Sequence, residues 1–493
     1  MADYPIQILR GVGNMGYSSR QKYFVFICMI LCLFVSCTPR ANRWGFPQYE
    51  YTYQVPEEVN DGWETSSLHA EGVDSGAINE LIRSILNKRF KNIHSVLLVK
   101  NGKLILEEYF YGYERDTKHQ LHSVSKSITS ILVGIAIDQK KIPGIDEKVY
   151  EFFPEHTGTK WIDQKYDIAL EHVLTMSAGI DWDEQSHRLT DRRNDIVAMI
   201  YGDDWLQYVL NKNQIEMPGK RFNYSGGLNI LLGGIIKNSS DLYADKFAEK
   251  YLFGPLGISD YRWHRHPDGT INTQGGLSLR PRDMAKIGYL FLKGGRWQGR
   301  QIVSRNWVNA STKAHISAYY GLGYGYQWYR GEAAVDRKVF ETFFAWGRGG
   351  QFIFVIPEFD LVAVFTSRPY DNFYGVLLPL GIVPNYIIPA MLPPAPAQNN
   401  IQLDPKVIAK YPGKYEFKKW KTKLSIIKEG EKIYMTDPHG GMIGLSPLSE
   451  TQFQGALKVF GNMTINFDMD NNEEVRHLIL NYGFLHLTFD EIK

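Results

Sequence analysis

The stretch Ser127-Ile128-Thr129-Ser130-Ile131-Leu132-Val133-Gly134-Ile135-Ala136-Ile137 contains no charged residue. As a helix it has no face to offer water, so the rest of the chain must fold around it. At its head stands Ser123-Val124-Ser125-Lys126. Residues three apart on a helix share a face, which sets the Ser123 hydroxyl beside the Lys126 amine as nucleophile and base. A lysine deprotonates a serine only when burial or a nearby cation has lowered its pKa, and the apolar neighbours supply the burial. The first turn adds free N–H groups and the positive end of the helix dipole, which favour an alkoxide and an oxyanion. The spacing alone is not diagnostic. Ser-x-x-Lys recurs at Ser19/Lys22 and Ser425/Lys428, and a serine that only caps a helix fits the same pattern.

A chain of 493 residues with 44% hydrophobic content can bury a large core in two or three domains. Its net charge of +2 gives no reason to expect nucleic acid as a partner. The three cysteines, Cys28, Cys32 and Cys37, fall in one short segment, so the body holds no disulfide. That segment has the layout of an export signal: Arg20 and Lys22, then an apolar stretch from Tyr23 to Val35 shorter than a membrane span. Leu33-Phe34-Val35-Ser36-Cys37 resembles a bacterial lipobox, which implies lipidation at Cys37, a membrane anchor and an exported, periplasm-facing envelope protein. A plain cleaved signal or an uncleaved anchor is the competing reading. Residues 38–65, polar and aromatic without clear period, read as a tether.

Asp74 to Phe90 carries Ile78, Leu81, Ile82, Ile85 and Leu86 at helical spacing, with Asp74 or Ser75 as cap. His94 to Lys100 and Lys103 to Phe110 are β-rich runs joined by Asn101-Gly102, a hairpin turn that feeds into the Ser123 helix. From Ile142 to Thr273 helical segments alternate with turns, among them Ile168 to Met176 and Asn229 to Ile236. Leu279 to Leu292 is a further helix, with Pro281 near its start and Gly294-Gly295 past its end. Strands are expected at Gly325 to Arg330, Val339 to Ala345, Gln351 to Ile356 and Leu361 to Ser367. The whole describes an α+β fold: an antiparallel sheet with flanking helices and a large helical subdomain over residues 66–392. A Pro-rich linker at 393–400 precedes residues 401–493, whose short alternating runs predict a small all-β domain, barrel or sandwich.

Two further stretches join the site. Tyr224 lies on a turn-rich loop before a helix, where its phenol can relay a proton to or from Ser123; an ordinary buried tyrosine is the alternative. Trp346-Gly347-Arg348-Gly349-Gly350-Gln351 opens a strand with three glycines, as if a substrate must approach the main chain closely. There the Gln351 N–H can join the Ser123 N–H as an oxyanion donor. A glycine bulge in a hairpin is the alternative. His122 points away from the Lys126 face and reads as a helix-start residue.

Taken in order, Ser123-x-x-Lys126, Leu174 through Gly179, Pro218 through Ser225, Gly275-Gly276-Leu277 and Trp346 through Gln351 resemble the class C-like serine β-lactamase family. That family includes penicillin-binding D,D-peptidases, esterases and 6-aminohexanoate-dimer hydrolases. The resemblance implies Ser123 as acylated nucleophile, Lys126 as base and Tyr224 as second-motif acid or base. It puts Arg348-Gly349-Gly350 in the place of the Lys-Thr-Gly strand motif, with Trp346 beside it at the substrate. It implies no cofactor and no metal. Two departures stand out: Gly226 replaces the Asn of Tyr-x-Asn, with Asn229 a substitute source of amide, and Arg348 replaces Lys or His. The expected activity is hydrolysis of an ester or amide of a small or peptide-like acyl substrate. The alternative is a non-catalytic, penicillin-binding envelope module.

Overall fold

The computed structural model describes residues 40–41, 47–48, 50–335, 338–368, 373–393, 401–418, 422–436, 442–457 and 461–492. The chain divides into two compact units, Met1–Tyr51 and Thr52–Lys493. In the first, the described backbone is one antiparallel pair, Arg40–Ala41 with Pro47–Gln48. Cys37, the rest of the leader, and residues 394–400 of the linker lie outside the described residues.

In the second unit, Asp74 caps helix α1, Ser75–Leu86, by accepting the Gly76 N–H at 2.8 Å, and Ile78, Leu81, Ile82 and Ile85 are buried. Strands β1, Ile93–Lys100, and β2, Lys103–Tyr109, form the expected hairpin. Asn101 and Gly102 take φ of 51° and 83°, the two left-handed positions such a tight turn requires. Helix α2, Val124–Asp138, is buried at every position from Val124 to Ala136. It packs against helix α3, Gly226–Ser240, while helix α4, Pro281–Leu292, lies across the sheet.

The remaining strands of that sheet are β3, Tyr329–Val335, β4, Lys338–Gly347, β5, Gln351–Ile356, and β6, Leu361–Ser367. The nine-stranded order runs Ile316–Ser317, Gly323–Tyr324, β3, β4, β5, β6, β1, β2, Glu64–Thr65. All neighbours are antiparallel except the last pair. The early hairpin therefore completes a sheet whose other strands, Glu64–Thr65 apart, come more than two hundred residues later. Every residue of β5 and β6 is buried, as expected of central strands covered on both faces.

The C-terminal strands are β7, Gly413–Phe417, β8, Thr422–Glu429, β9, Lys432–Thr436, β10, Met442–Pro447, β11, Gln452–Leu457, β12, Gly461–Met469, β13, Val475–Tyr482, and β14, Leu485–Ile492. They close into an eight-stranded barrel, because β7 pairs with β14. Tyr415, Ile426, Ile433, Phe453, Ile465, Phe467, Leu478 and Phe489 fill its interior.

Three expectations change. Residues 52–65 are no free tether: the Tyr53 hydroxyl donates to the Ile105 carbonyl at 2.8 Å and Trp63 is buried in edge contact with Tyr289 and Trp297. The aromatic residues that lacked a period are anchors. Gly325 to Trp328 is a turn, with Gln327 at φ 66° and its side-chain amide bonded to the Val173 and Leu174 carbonyls. Helix Leu170–Leu174 stops before Met176, which takes φ 58°. Beyond β6 the chain is helical over Phe373–Ile382 and continues through a widened turn at Val383–Ile387 that absorbs Pro384.

Candidate active site

Leu121 brings the chain to the site by donating its N–H to the Leu277 carbonyl at 2.8 Å. His122 then takes φ 47°, a strained conformation for a non-glycine residue, directly before Ser123. Ser123 stands at the head of α2 and is half-buried, while Lys126 one turn on is 2% exposed. The Lys126 amine donates to the Ser123 hydroxyl at 3.1 Å and to the Gln274 carbonyl at 2.7 Å. The hydroxyl is thus reachable and the amine is not. Burial pulls the Lys126 pKa down to about 8, against a smaller upward pull from Glu184. Burial thus favours the free amine more than it would for an exposed lysine.

Tyr224 is held from both sides: the Asn223 N–H donates to the Met176 carbonyl at 2.8 Å and the Ser225 N–H to the Met176 sulfur at 3.4 Å. The left-handed turn at Met176 serves this grip. The Lys126 amine lies 4.9 Å from the centre of the Tyr224 ring. Burial, and then the Glu184 charge, raise the phenol's pKa, with the Ser123 hydroxyl working against them. The phenol therefore holds its proton at neutral pH.

Glu184 was not foreseen from the sequence. Its carboxylate accepts the Gly226 N–H at 2.6 Å and the Trp182 indole N–H at 2.8 Å, closing the start of α3. That bond explains why α3 begins at Gly226 rather than at Asn229. A Cβ on Gly226 would lie 2.3 Å from Ile196 Cδ1 and 3.2 Å from both Glu184 Oε2 and Gln274 Oε1. The room that an Asn would need is filled by a carboxylate and another amide. Asn229 does not supply the missing group: it is fully buried, and its side-chain oxygen and nitrogen bond nothing among the described residues. Gly226 was the available signal, because a vacated position invites the question of what occupies it.

The glycine-rich segment forms the tight connection between β4 and β5, with Gly349 and Gly350 both at φ 80°. β5 lies between β4 and β6, so Gln351 opens an interior strand and no substrate can add along it as an edge. What approaches closely is the protein itself, since a Cβ on Gly347 would sit 2.2 Å from the Leu121 carbonyl oxygen. This contact fixes the hairpin end beside the Ser123 turn. The Gln351 side chain is spent on Ser367, donating to its carbonyl at 2.6 Å and accepting its N–H at 3.2 Å. Trp346 is half-buried and stacks on Phe352 at 5.6 Å. Arg348 is exposed, and its charge, after burial, holds His122 down at about 4 and therefore neutral.

A buried amine bonded to a reachable serine, with a phenol beside them, lies on a helix-covered antiparallel sheet of the β-lactamase fold. The Beta-lactamase family model matches residues 88–380, and the chain belongs to that family. A 6-aminohexanoate-dimer hydrolase of Paenarthrobacter ureafaciens is 28% identical over 226 residues, 43% of this chain and 55% of that protein. Protein flp of Staphylococcus aureus (strain N315) is 27% identical over 195 residues, 37% of each chain. The chain thus spans about half of the first relative and just over a third of the second. The octameric penicillin-binding protein homologue from Pyrococcus abyssi superposes with TM-score 0.51 at 20% identity, over 84% of this chain and all of that one. This last likeness is one of fold.

Proposed function

We propose that the protein hydrolyses an ester or amide through an acyl-enzyme on Ser123. Lys126 takes the hydroxyl proton as the Ser123 oxygen bonds to the substrate carbonyl carbon. Tyr224 delivers a proton to the departing alcohol or amine as its bond to that carbon breaks, and recovers one from Lys126. Water, deprotonated by the same pair, then attacks the Ser123 ester and frees the acid. The N–H groups of Ser123 and Gln351 are the proposed oxyanion donors. Arg348 grips a substrate carboxylate, for which a planar guanidinium is suited. Gln274, aimed into the space beside Gly226, presents the amide that Tyr-x-Asn would have presented.

The observation that carries this reading is the 3.1 Å contact between a reachable hydroxyl and a buried amine whose pKa is lowered to about 8. Intact-mass analysis after treatment with a fluorophosphonate or a penicillin tests it. We expect a stable adduct on the wild type and none on Ser123→Ala; no adduct with either probe removes the enzyme. Gly226 in the second motif keeps the binding-module reading in play, and Ser123-dependent release of p-nitrophenol from the butyrate ester decides against it. We also propose, on the leader's sequence, an exported protein lipidated at Cys37. Incorporation of an alkyne fatty acid that is lost in Cys37→Ser supports this, and unlabelled wild type refutes it.

A further inference from the structure

We infer that the C-terminal barrel shapes the proposed catalytic pocket, by holding the strap Tyr319–Gly321 against Tyr224, and that Tyr319 and Tyr320 are its specificity-determining side chains. The inference rests on the catalytic reading given above and extends it to substrate choice.

The strap has one end at the site. The Tyr319 ring meets Phe222 edge-on at 5.1 Å, and Phe222 lies 6.3 Å from Tyr224. The Tyr319 phenol also interacts with the Tyr224 backbone and the Gln185 side chain, next to Glu184. Its conformation is not one the strap would hold unaided. Tyr320 takes φ 65° and ψ 25°, and Gly321 follows at φ 77°. A left-handed tyrosine persists only where its surroundings over-determine it.

On its far side the strap meets β14, just past the loop that joins it to β13. A Cβ on Gly321 would sit 3.3 Å from His486 Cβ, so the strap's far end lies directly on β14. The loop is itself pinned to the catalytic fold. Gly483, at φ 61°, is so close to helix Phe373–Ile382 that a Cβ would stand 2.0 Å from the Leu380 carbonyl oxygen. Phe484 is fully buried among Phe344 and Phe354, each 5.6 Å away. Phe344 in turn stacks on Tyr329 at 5.7 Å, and Tyr329 meets Trp346 at 5.5 Å. The barrel therefore touches the site's surroundings by two aromatic routes, although it lies beyond the residues the family model covers.

The test uses the full chain with Gly483→Ala, which forces the loop off Leu380, alongside His486→Ala, Tyr320→Ala and, as a control on the opposite barrel wall, Glu431→Ala. Two quantities are read: the ratio of kcat/KM for a bulky p-nitrophenyl ester (4-phenylbutyrate) to that for the acetate, and tetranitromethane nitration of Tyr319 and Tyr320 mapped by mass spectrometry. We expect Gly483→Ala and Tyr320→Ala each to change the ester ratio about tenfold, the double variant to add little, and Glu431→Ala to change nothing. Nitration of the strap should rise several-fold in Gly483→Ala, with His486→Ala following in the same direction should the first variant fold poorly. Fluorophosphonate labelling of Ser123 should stay within about threefold, since the nucleophile itself is not moved. An unchanged ester ratio in Gly483→Ala and His486→Ala, with Ser123 still labelled, overturns the inference alone. A wild type that takes no label overturns the catalytic reading, whatever nitration reports of the strap.

Discussion

Helix α2 and helix α3 are both apolar, both fifteen residues long, and both begin at the site, yet their first turns are finished differently. At the start of α3 a half-buried carboxylate, Glu184, takes the Gly226 N–H and faces the positive end of the dipole. At the start of α2 the Ser123 side chain makes no cap bond, and Ser123 stands there half-buried. One helix end is closed by the fold; in the proposed mechanism the other is left for charge that develops during the reaction. The pairing also separates roles. The amine that lies between the two helix heads has its pKa lowered to about 8 by burial, while the carboxylate across from it limits how far it falls.

The largest effect should come from breaking the α2 side. Lys126→Ala is expected to lower kcat for p-nitrophenyl butyrate about 10³-fold or more, as loss of a general base does. Combining it with Ser123→Ala should cost no more than Ser123→Ala alone, because members of one catalytic unit are not additive. A Lys126→Ala enzyme within tenfold of wild type would mean that the 3.1 Å contact is only a cap.

The α3 side should tune the first rather than abolish it. A carboxylate facing an amine favours the ammonium and raises its pKa, so removing that charge lowers it. Wild-type kcat/KM should climb with pH through about 8 as Lys126 loses its proton. In Glu184→Gln, whose side-chain oxygen can still accept the Gly226 N–H, the rising limb should move to lower pH with the melting temperature nearly unchanged. A limb that stays put or moves upward shows that Glu184 does not act on Lys126. Glu184→Ala removes the cap as well and should cost about 1 kcal/mol of stability.

The same contrast explains what the sequence could disclose. The α2 half of the site is local, with hydroxyl and amine one turn apart on a helix announced by its own apolar run, and the Asn101-Gly102 hairpin and the alternating barrel strands were legible for the same reason. Tyr224 could be placed because a turn-rich loop preceded a helix. Glu184 and Gln274 come from loops without period, and only folding sets them beside Gly226. The interior position of β5 was equally hidden, since β6 pairs with β1 from far earlier in the chain. The anchors Tyr53 and Trp63 looked like tether because burial of scattered aromatics leaves no repeat.

The smallest expected effect separates the two amides that could stand in for the missing Asn. Gln274 has its backbone carbonyl on Lys126 and its side-chain oxygen 3.2 Å from the vacated Cβ position, so it stands where the missing Asn would have been. Gln274→Leu should lower kcat/KM about tenfold, the worth of one well-placed hydrogen bond. Asn229 is buried with neither side-chain atom bonded among the described residues, so it carries a desolvation cost without a return. Asn229→Leu, of similar shape, should leave kcat/KM within about twofold and raise stability by about 1 kcal/mol, read by urea denaturation. The reverse pattern, with activity lost in Asn229→Leu and kept in Gln274→Leu, would return the amide to α3 and erase the difference between the two helix heads, since α3 would then also serve the substrate.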